Sequence, residues 1–251
     1  LSWFAGDRVS SDRLALWMSM RLSGSQDDPN ALTRIGWAVR RLTGGPGPEI
    51  DLAAFLDRRD PKNIEGSAER FEDRAGGWLD VMAAAAELHP ITRACMGFHL
   101  WGLAGLGQHG DRVEAAVTAA RIAASECRGA AFAPVAMGGA GGLRAGGPPT
   151  DRLIRWLDGM EAGFLTAMRH LDDIETWATR AEDEISALSG RTPPSLCTAL
   201  TEWPLVSAPM AETLTGASRA AVQRNLNWME KRGLIREVTG EGRYRMWRAA
   251  S

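Results

Sequence analysis

Residues 218–247 read SRAAVQRNLNWMEKRGLIREVTGEGRYRMW, and this stretch decides the fold of the C-terminal part. Ser218 can accept hydrogen bonds from the free amides of a first helical turn, and Gly233 ends the helix-compatible run that follows. Val222, Leu226 and Met229 recur at steps of four and three, which places them on one face of a helix. The pattern predicts an amphipathic helix over residues 218–232.

A β-hairpin is expected directly after this helix. Residues 234–238 are typical of a short strand, 239–242 of a glycine turn, and 244–248 of a returning strand in which successive side chains alternate between the two faces. The hairpin would form a two-stranded wing.

The residues before Ser218 predict two further helices. Residues 195–203 form the first, which Pro204 closes, and residues 207–214 form the second, with a proline tolerated in its first turn. Thr215, Gly216 and Ala217 then make a three-residue turn into the helix at 218–232. A short helix, a glycine turn and a longer helix are the helix-turn-helix unit. We therefore expect residues 191–251 to form a winged helix-turn-helix of three helices and a two-stranded β wing.

Such a unit would contact double-stranded DNA through the outer face of the helix at 218–232 and through the tip of the wing. Arginine suits guanine, and Gln or Asn suits adenine, in the major groove, while wing arginines suit phosphates or the minor groove. The candidate DNA-binding residues on the helix are Ser218, Arg219, Gln223, Arg224 and Asn227. Those on the wing, around residues 239–243, are Arg243 and Arg245.

The distribution of charge agrees with this assignment. From residue 192 onward the chain has eight Lys or Arg against five Glu, a net of +3, whereas the whole chain is at −2 and the remainder at −5. A net of +3 is modest, and it gains weight only from its coincidence with the helix-turn-helix pattern.

Residues 205–247, LVSAPMAETLTGASRAAVQRNLNWMEKRGLIREVTGEGRYRMW, resemble the winged helices appended to Fic-domain proteins and, more loosely, MarR-like repressors. The preceding residues, with HPITRACMGFHLWGLAGLG at 89–107 and LSGRTPP at 188–194, look like an uncharacterised bacterial family that places a helical domain before this DNA-binding unit. The AMP-transfer motif of Fic proteins, HPFxxGNGR, fails here after His89 and Pro90. The resemblance therefore implies the winged helix and not the transferase.

The first 149 residues predict a helical domain, with candidate helices at 11–22, 30–42, 50–56, 68–88, 91–106 and 112–127. Glycine-rich segments at 44–48 and 138–149 are expected to be loops, the second a flexible connector in preference to a phosphate-binding loop. Trp37, Trp78, Trp101 and Trp156 are expected to be core anchors or, as the alternative, to line a ligand pocket between helices. This domain could receive a small-molecule or protein effector.

Residues 150–190 carry the longest apolar pattern and predict one long helix that connects the two domains. Its stripe suits either a bundle helix, broken near Gly159 or Gly163, or a homodimer contact, and both alternatives remain open at this stage. The candidate dimer contacts are Leu171, Ile174, Ile185 and Leu188. A two-fold dimer would read an inverted-repeat operator.

No catalytic or metal site is predicted. His89, His99 and His109 lie ten residues apart and do not share a helical face, and His170 beside Asp172 and Asp173 is typical of a solvated patch. Cys95, Cys127 and Cys197 lack CxxC spacing and are expected to be reduced core residues. We expect no cofactor and no enzymatic activity.

The sequence has no signal segment and no apolar run near the roughly 18 to 20 residues of a membrane span, so we expect a soluble, cytoplasmic protein without a membrane partner. The favoured function is a dimeric, sequence-specific DNA-binding transcriptional regulator. The alternative is an enzyme or toxin-antitoxin type module with an accessory winged helix. A gel shift with DNA separates the two.

Overall fold

The computed structural model describes residues 10–18, 29–57, 68–107, 112–240 and 245–250. These residues are mainly helical, with a small antiparallel sheet, which confirms the mainly α fold class. No helix in these ranges is long and apolar enough to cross a bilayer. The described residues divide into two compact units, one with residues up to Ala167 and the other with Ser10–Met18 and the residues from Met168 on. The helices, in chain order, are α1 (Ser11–Met18), α2 (Pro29–Thr43), α3 (Leu52–Phe55), α4 (Ala68–Ala84), α5 (Pro90–Leu103), α6 (Val113–Ala123), α7 (Pro149–Ile185), α8 (Thr192–Glu202), α9 (Ala208–Thr215) and α10 (Arg219–Lys231).

The first unit is an all-helical bundle around α6. Almost every side chain of α6 is buried, as expected for a helix that is apolar all round and lies at the centre of a domain. Trp78 of α4 and Trp101 of α5 meet edge to face, with ring centroids 5.5 Å apart, and Trp156 is 1% exposed. These three tryptophans are core residues, and Trp37 is partly buried against the same core, so the first of the two alternatives holds for all four.

The glycine-rich segment before α7 is packed, and the expectation of a flexible connector is wrong. It forms two 3-10 turns, Val135–Gly138 and Gly141–Leu143, and Val135 and Leu143 are buried. A Cβ added at Gly138 would lie 1.8 Å from the carbonyl oxygen of Gly159. Glycines are needed on both sides because the backbones approach so closely. Gly159 therefore lies at a contact within an unbroken α7, and it does not break the helix.

The second unit joins the last part of α7 to α8, α9, α10 and a sheet. Trp177 of α7 donates from Nε1 to the carbonyl of Leu234 at 2.6 Å, and it packs in one core with Leu196, Leu226 and Trp247. Proline in the first turn of α8 and of α9 costs little, since those amides have no helical acceptor. The unit thus has its own core.

The sheet has three strands and not the two that the sequence predicted. β1 (Val206–Ser207), β2 (Ile235–Glu237) and β3 (Met246–Ala249) are antiparallel in the order β1-β3-β2. Met246 and Trp247 point to opposite faces of β3, and both are buried. Trp247 joins the core of the unit, while Met246 packs with Leu205 and with Leu16 of α1. The sequence pattern did not predict the packing of α1 against Met246, because α1 lies more than 200 residues away in the chain.

Helix α1 is therefore grouped with the C-terminal elements. The domain bounds inferred from sequence, 1–149, 150–190 and 191–251, follow the chain order, whereas the packing assigns Ser10–Met18 to the second unit and divides α7 between the two. The division falls after Ala167, inside a helix with no break in its hydrogen bonding. Chain order alone cannot predict either feature.

Candidate nucleic-acid interface

Helix α10 begins at the predicted cap and is fixed by its inner face. The Ser218 hydroxyl accepts from the Ala221 amide at 3.4 Å, and the helix runs over Arg219–Lys231, one residue short of the predicted end. Val222, Leu226 and Met229 are at most 1% exposed. The apolar half of the predicted amphipathic pattern is confirmed, and it sets which side of α10 faces the solvent.

The opposite side of α10 is polar and exposed. Ala220, Arg224, Asn227 and Lys231 follow one another at steps of three and four, and at about 100° per residue they lie directly opposite the buried face. Arg224 and Lys231 make no hydrogen bond or ion pair with the described residues. Lys231 was missed by the sequence analysis, although its position seven residues after Arg224 repeats the same face.

Two of the predicted base-reading residues contact each other. The Gln223 amide nitrogen donates to the Asn227 side-chain oxygen at 2.9 Å. A bidentate contact to adenine needs both the oxygen and the nitrogen of one side-chain amide. The Gln223–Asn227 bond therefore has to open, or to be shared, before either residue can read a base in this way.

Ser218 and Arg219 lie at the start of α10 and are exposed. The Ser218 hydroxyl already accepts one hydrogen bond in the helix cap, so its proton and its second lone pair remain for an outside contact. Arg219 has no partner within the described ranges. Of the five helical candidates, Arg219 and Arg224 are thus the two whose side chains make no hydrogen bond with the described residues.

The turn between α9 and α10 holds its backbone by local bonds. Gly216 adopts φ 64°, the left-handed region that glycine enters without strain, and its amide donates to the Glu212 carbonyl. The Thr215 hydroxyl donates to the Ala211 carbonyl at 2.7 Å and accepts from the Ala217 amide at 3.2 Å. This turn sets the angle at which α10 leaves α9.

Arg245 does not have the position that the sequence predicted. Its Nη2 donates to both carboxylate oxygens of Glu230, at 3.0 and 2.9 Å, and its guanidinium stacks 4.9 Å from the ring centroid of Trp247. The same Glu230 carboxylate accepts from the Trp247 Nε1 at 3.3 Å. Arg245 thus ties β3 to α10 and is not free for a phosphate. Arg243 lies outside the described residues.

The start of the hairpin turn is ordered by one carboxylate. The Glu237 carboxylate accepts from the amide and the hydroxyl of Thr239 and from the amide of Gly240, and it lies 2.7 Å from the Thr239 amide nitrogen. Burial raises the pKa of Glu237, but these hydrogen bonds and the charge of Arg245 outweigh it, so that the pKa lies below its usual value. An ionised Glu237 therefore stabilises the turn.

Two more arginines of the sheet are held by α1. Arg236 and Arg248 are directly opposite each other on β2 and β3. Asp12 accepts from Arg248 Nη1 at 3.0 and 3.2 Å and lies 3.8 Å from Arg236 Nη2. The basic side chains of the strands are consequently paired with acidic ones, in contrast to those on the exposed face of α10.

The histidines and cysteines do not come together. His89 caps α5 by accepting from the Ile91 amide at 3.3 Å, His99 is half-buried, and His170 is exposed; His109 lies outside the described residues. Among the described residues no group of three or more His, Cys, Asp or Glu side chains could hold a metal ion. Cys95 and Cys197 are buried, and burial raises the pKa of each thiol to about 11. Cys127 is exposed, contrary to expectation, since it follows the end of α6.

No protein-family model matches this chain, and no curated protein does so either.

Proposed function

We propose that the second unit is a winged helix-turn-helix that binds double-stranded DNA with the exposed face of α10, and that the protein is a sequence-specific transcriptional regulator. α9, the Gly216 turn and α10 have the order and lengths of a helix-turn-helix. The sheet that follows supplies a wing. The resemblance to the winged helices of Fic-domain proteins and MarR-like repressors supports the same assignment.

One observation carries the proposal. Arg224 and Lys231 extend from the solvent side of a rigidly packed helix and have no acidic partner among the described residues, while Arg232, next in the chain, is paired with Glu184 at 2.9 Å. Unpaired cations on one face of a helix are the groups that neutralise phosphates and donate to guanine. Arg219, at the start of the helix, extends this set toward the end that enters a groove first.

The proposal also assigns a role to each polar candidate. Arg224 and Arg219 would donate to bases or phosphates, and Lys231 would contact the backbone as a point charge. Gln223 and Asn227, which hold each other in the free protein, would exchange their mutual bond for contacts to base edges. Ser218 would remain the helix cap, with its N-terminal amides near a phosphate.

The test is selection of duplexes from a random pool by the full chain, followed by titration of the enriched sequence and of a scrambled one. Arg224→Ala should weaken binding to the enriched site by about 1 to 3 kcal/mol. The control is Arg191→Ala, which removes an exposed arginine of the same unit before α8. No enrichment in the wild type, or equal losses in the two variants, would contradict the proposal.

We also propose that the protein is a homodimer formed by α7. Large apolar side chains are exposed along this helix, and Leu157, Phe164 and Leu171 lie seven residues apart, the repeat of a coiled-coil seam. The exposed apolar side chains on α7 are Ile154, Leu157, Phe164, Leu165, Met168, Leu171 and Ile174. A second copy of the same helix offers a matching seam, and two units together would read an inverted repeat.

Two of the four predicted dimer contacts are not part of that face. Ile185 is 6% exposed within the core of the second unit, and Leu188 packs against the same core, because the C-terminal end of α7 is covered by the elements that follow it. Leu171 and Ile174 are 64% and 37% exposed and remain candidates. A test of the interface must therefore avoid Ile185.

Met168→Glu combined with Leu171→Glu should give a soluble monomer of 27.1 kDa in light scattering, where the wild type gives twice that mass. Thr176→Glu combined with Thr179→Glu adds the same charge at exposed positions of α7 outside the seam and should leave the dimer intact. A wild type that is monomeric at micromolar concentration would rule the dimer out, whatever its DNA binding.

A further inference from the structure

The first unit contains a cluster of cationic side chains around a partly buried imidazole. His99 of α5 lies beside Trp156 of α7, with ring centroids 6.5 Å apart, and beside Phe98. The guanidinium of Arg112, at the start of α6, stacks 4.5 Å from the Phe98 ring centroid. Three helices thus bring their aromatic and basic side chains to one place.

Two further arginines, Arg152 and Arg155, flank Trp156 on α7 and act on His99 through their charge, and both are held by neutral groups. Arg152 Nε donates to the Gly147 carbonyl at 2.9 Å, and Arg155 Nη2 donates to the Gly146 carbonyl. Neither arginine has a carboxylate partner among the described residues. Because a carbonyl orients a guanidinium without cancelling its charge, the positive charge of both side chains remains uncompensated.

Two polar atoms inside the cluster have no hydrogen-bond partner in the part of the chain that the structure describes. His99 Nε2 and Arg155 Nε are enclosed and have no hydrogen-bond partner among the described residues. A buried donor or acceptor without a partner is costly, and a native structure keeps such atoms where something else satisfies them. Burial, together with the charges of Arg152, Arg112 and Arg155, lowers the pKa of His99 to about 4, so the imidazole is neutral at pH 7 and can donate one N–H.

We propose that Arg112, Arg152, Arg155 and His99 form a binding site for the phosphate or carboxylate group of a small molecule. An oxyanion would accept from the guanidinium groups and from the imidazole, and it would supply the negative charge that Arg152 and Arg155 do not receive from any described carboxylate. The four side chains are half-buried, which suits a compact anionic group better than a flat polymer surface. The site lies wholly in the first unit and does not rest on the proposed DNA binding.

The experiment titrates the full chain, in the absence of DNA, with inorganic phosphate and separately with succinate, each against sodium chloride at equal ionic strength. Isothermal titration calorimetry should show saturable binding of at least one of the two anions, and the two titrations distinguish a phosphate site from a carboxylate site. In Arg152→Gln combined with Arg155→Gln, the affinity should fall about tenfold or more. The matched control is Arg128→Gln, an exposed arginine of the same unit, which should bind like the wild type.

A second measurement does not depend on the folding of the double variant. The His99 ring signal, assigned in the NMR spectrum by comparison with His99→Gln, should shift saturably with the bound anion, and the pKa of His99 should rise because an anion offsets the arginine charges. Absence of saturable binding in the wild type, an unchanged His99 signal, or equal affinity in the double variant would each overturn the site. None of these outcomes bears on DNA binding, which is measured separately.

Discussion

On the exposed face of α10, Arg224 and Lys231 have no acidic partner within the described ranges. In and next to β2 and β3, by contrast, each of Arg236, Arg245 and Arg248 lies against a carboxylate of Asp12 or Glu230. The two regions are neighbours in the second unit and equally basic in sequence. The paired arginines hold the sheet to α1 and α10, and their positive charge is compensated by carboxylates within the same unit. Of these two regions, the face of α10 is the one whose described cations remain available to an external anion.

The largest expected effect comes from reversing the unpaired charges. Arg224→Glu combined with Lys231→Glu should lower DNA affinity at least about a hundredfold at low salt, and it should reduce the slope of log K against log salt by about two units. The free energy of unfolding should change by less than about 0.5 kcal/mol, because both side chains are exposed. Fluorescence anisotropy over a salt series measures the first two quantities, and urea unfolding measures the third.

The matched variant is Arg128→Glu combined with Arg191→Glu, which has the same net charge and alters exposed arginines elsewhere. If the two double variants lose equal affinity, the effect is one of net charge, and the face of α10 is not the contact surface.

Glu230→Ala tests the paired arginines next. It removes the acceptor of both Arg245 and Trp247, and it leaves a partly buried guanidinium and an indole N–H without a partner. We expect the free energy of unfolding to fall by about 1 to 3 kcal/mol. Urea unfolding measures it, and Glu202→Ala, at an exposed position of α8, is the control with an expected change below about 0.5 kcal/mol. A stable Glu230→Ala protein would show that the ion pair contributes little.

The contrast between α10 and the paired arginines also shows which features of the molecule can be predicted from the sequence. The cap at Ser218, the apolar spacing of Val222, Leu226 and Met229, and the turn at Gly216 depend on neighbours in the chain, so local patterns predicted α10 and the turn before it. The partners of Arg245 and Arg248 come from Glu230 and Asp12, which lie 15 and 236 residues away. No local pattern encodes such a pairing.

The long helix and the glycine-rich segment differ in the same way. The apolar stripe predicted α7, but it could not separate exposed Leu171 from buried Ile185, because both satisfy the same spacing. The composition of residues 138–149 indicated a loop, while the close approach of Gly138 and Gly159 depends on two segments meeting in the fold. The arginine cluster around His99 likewise draws on three helices, and its members have no motif in common.

The role of the ionised Glu237 carboxylate in ordering the start of the hairpin turn can be tested by varying the pH. The pKa of Glu237 in the folded protein lies below its usual value of 4.5, so its contribution to stability is present above pH 4.5 and is lost as the pH falls through the folded pKa. Glu237→Gln should cost about 0.5 to 1.5 kcal/mol at pH 7, and the difference from the wild type should shrink toward pH 3. Urea unfolding across this range measures it. A difference that stays constant with pH would show that the charge of Glu237 is not what orders the turn.

The smallest expected effect concerns Asp12, which holds Arg236 and Arg248 but is itself partly exposed. Asp12→Asn should lower the free energy of unfolding by about 0.2 to 1 kcal/mol, since ion pairs near the surface contribute little. Amide hydrogen exchange over Ser11–Met18 should become faster, because α1 loses the ion pairs that Asp12 makes with the sheet. Asp172→Asn, at an exposed position on α7, is the control.

The decisive measurement on Asp12→Asn is the salt dependence of its DNA binding. Arg236 and Arg248 lie on the strands and not on the face of α10, so releasing them should leave the slope unchanged. A slope that rises by one or two units would show instead that α1 withholds these arginines from the DNA, and the division between structural and DNA-binding cations drawn from the ion pairs would be wrong.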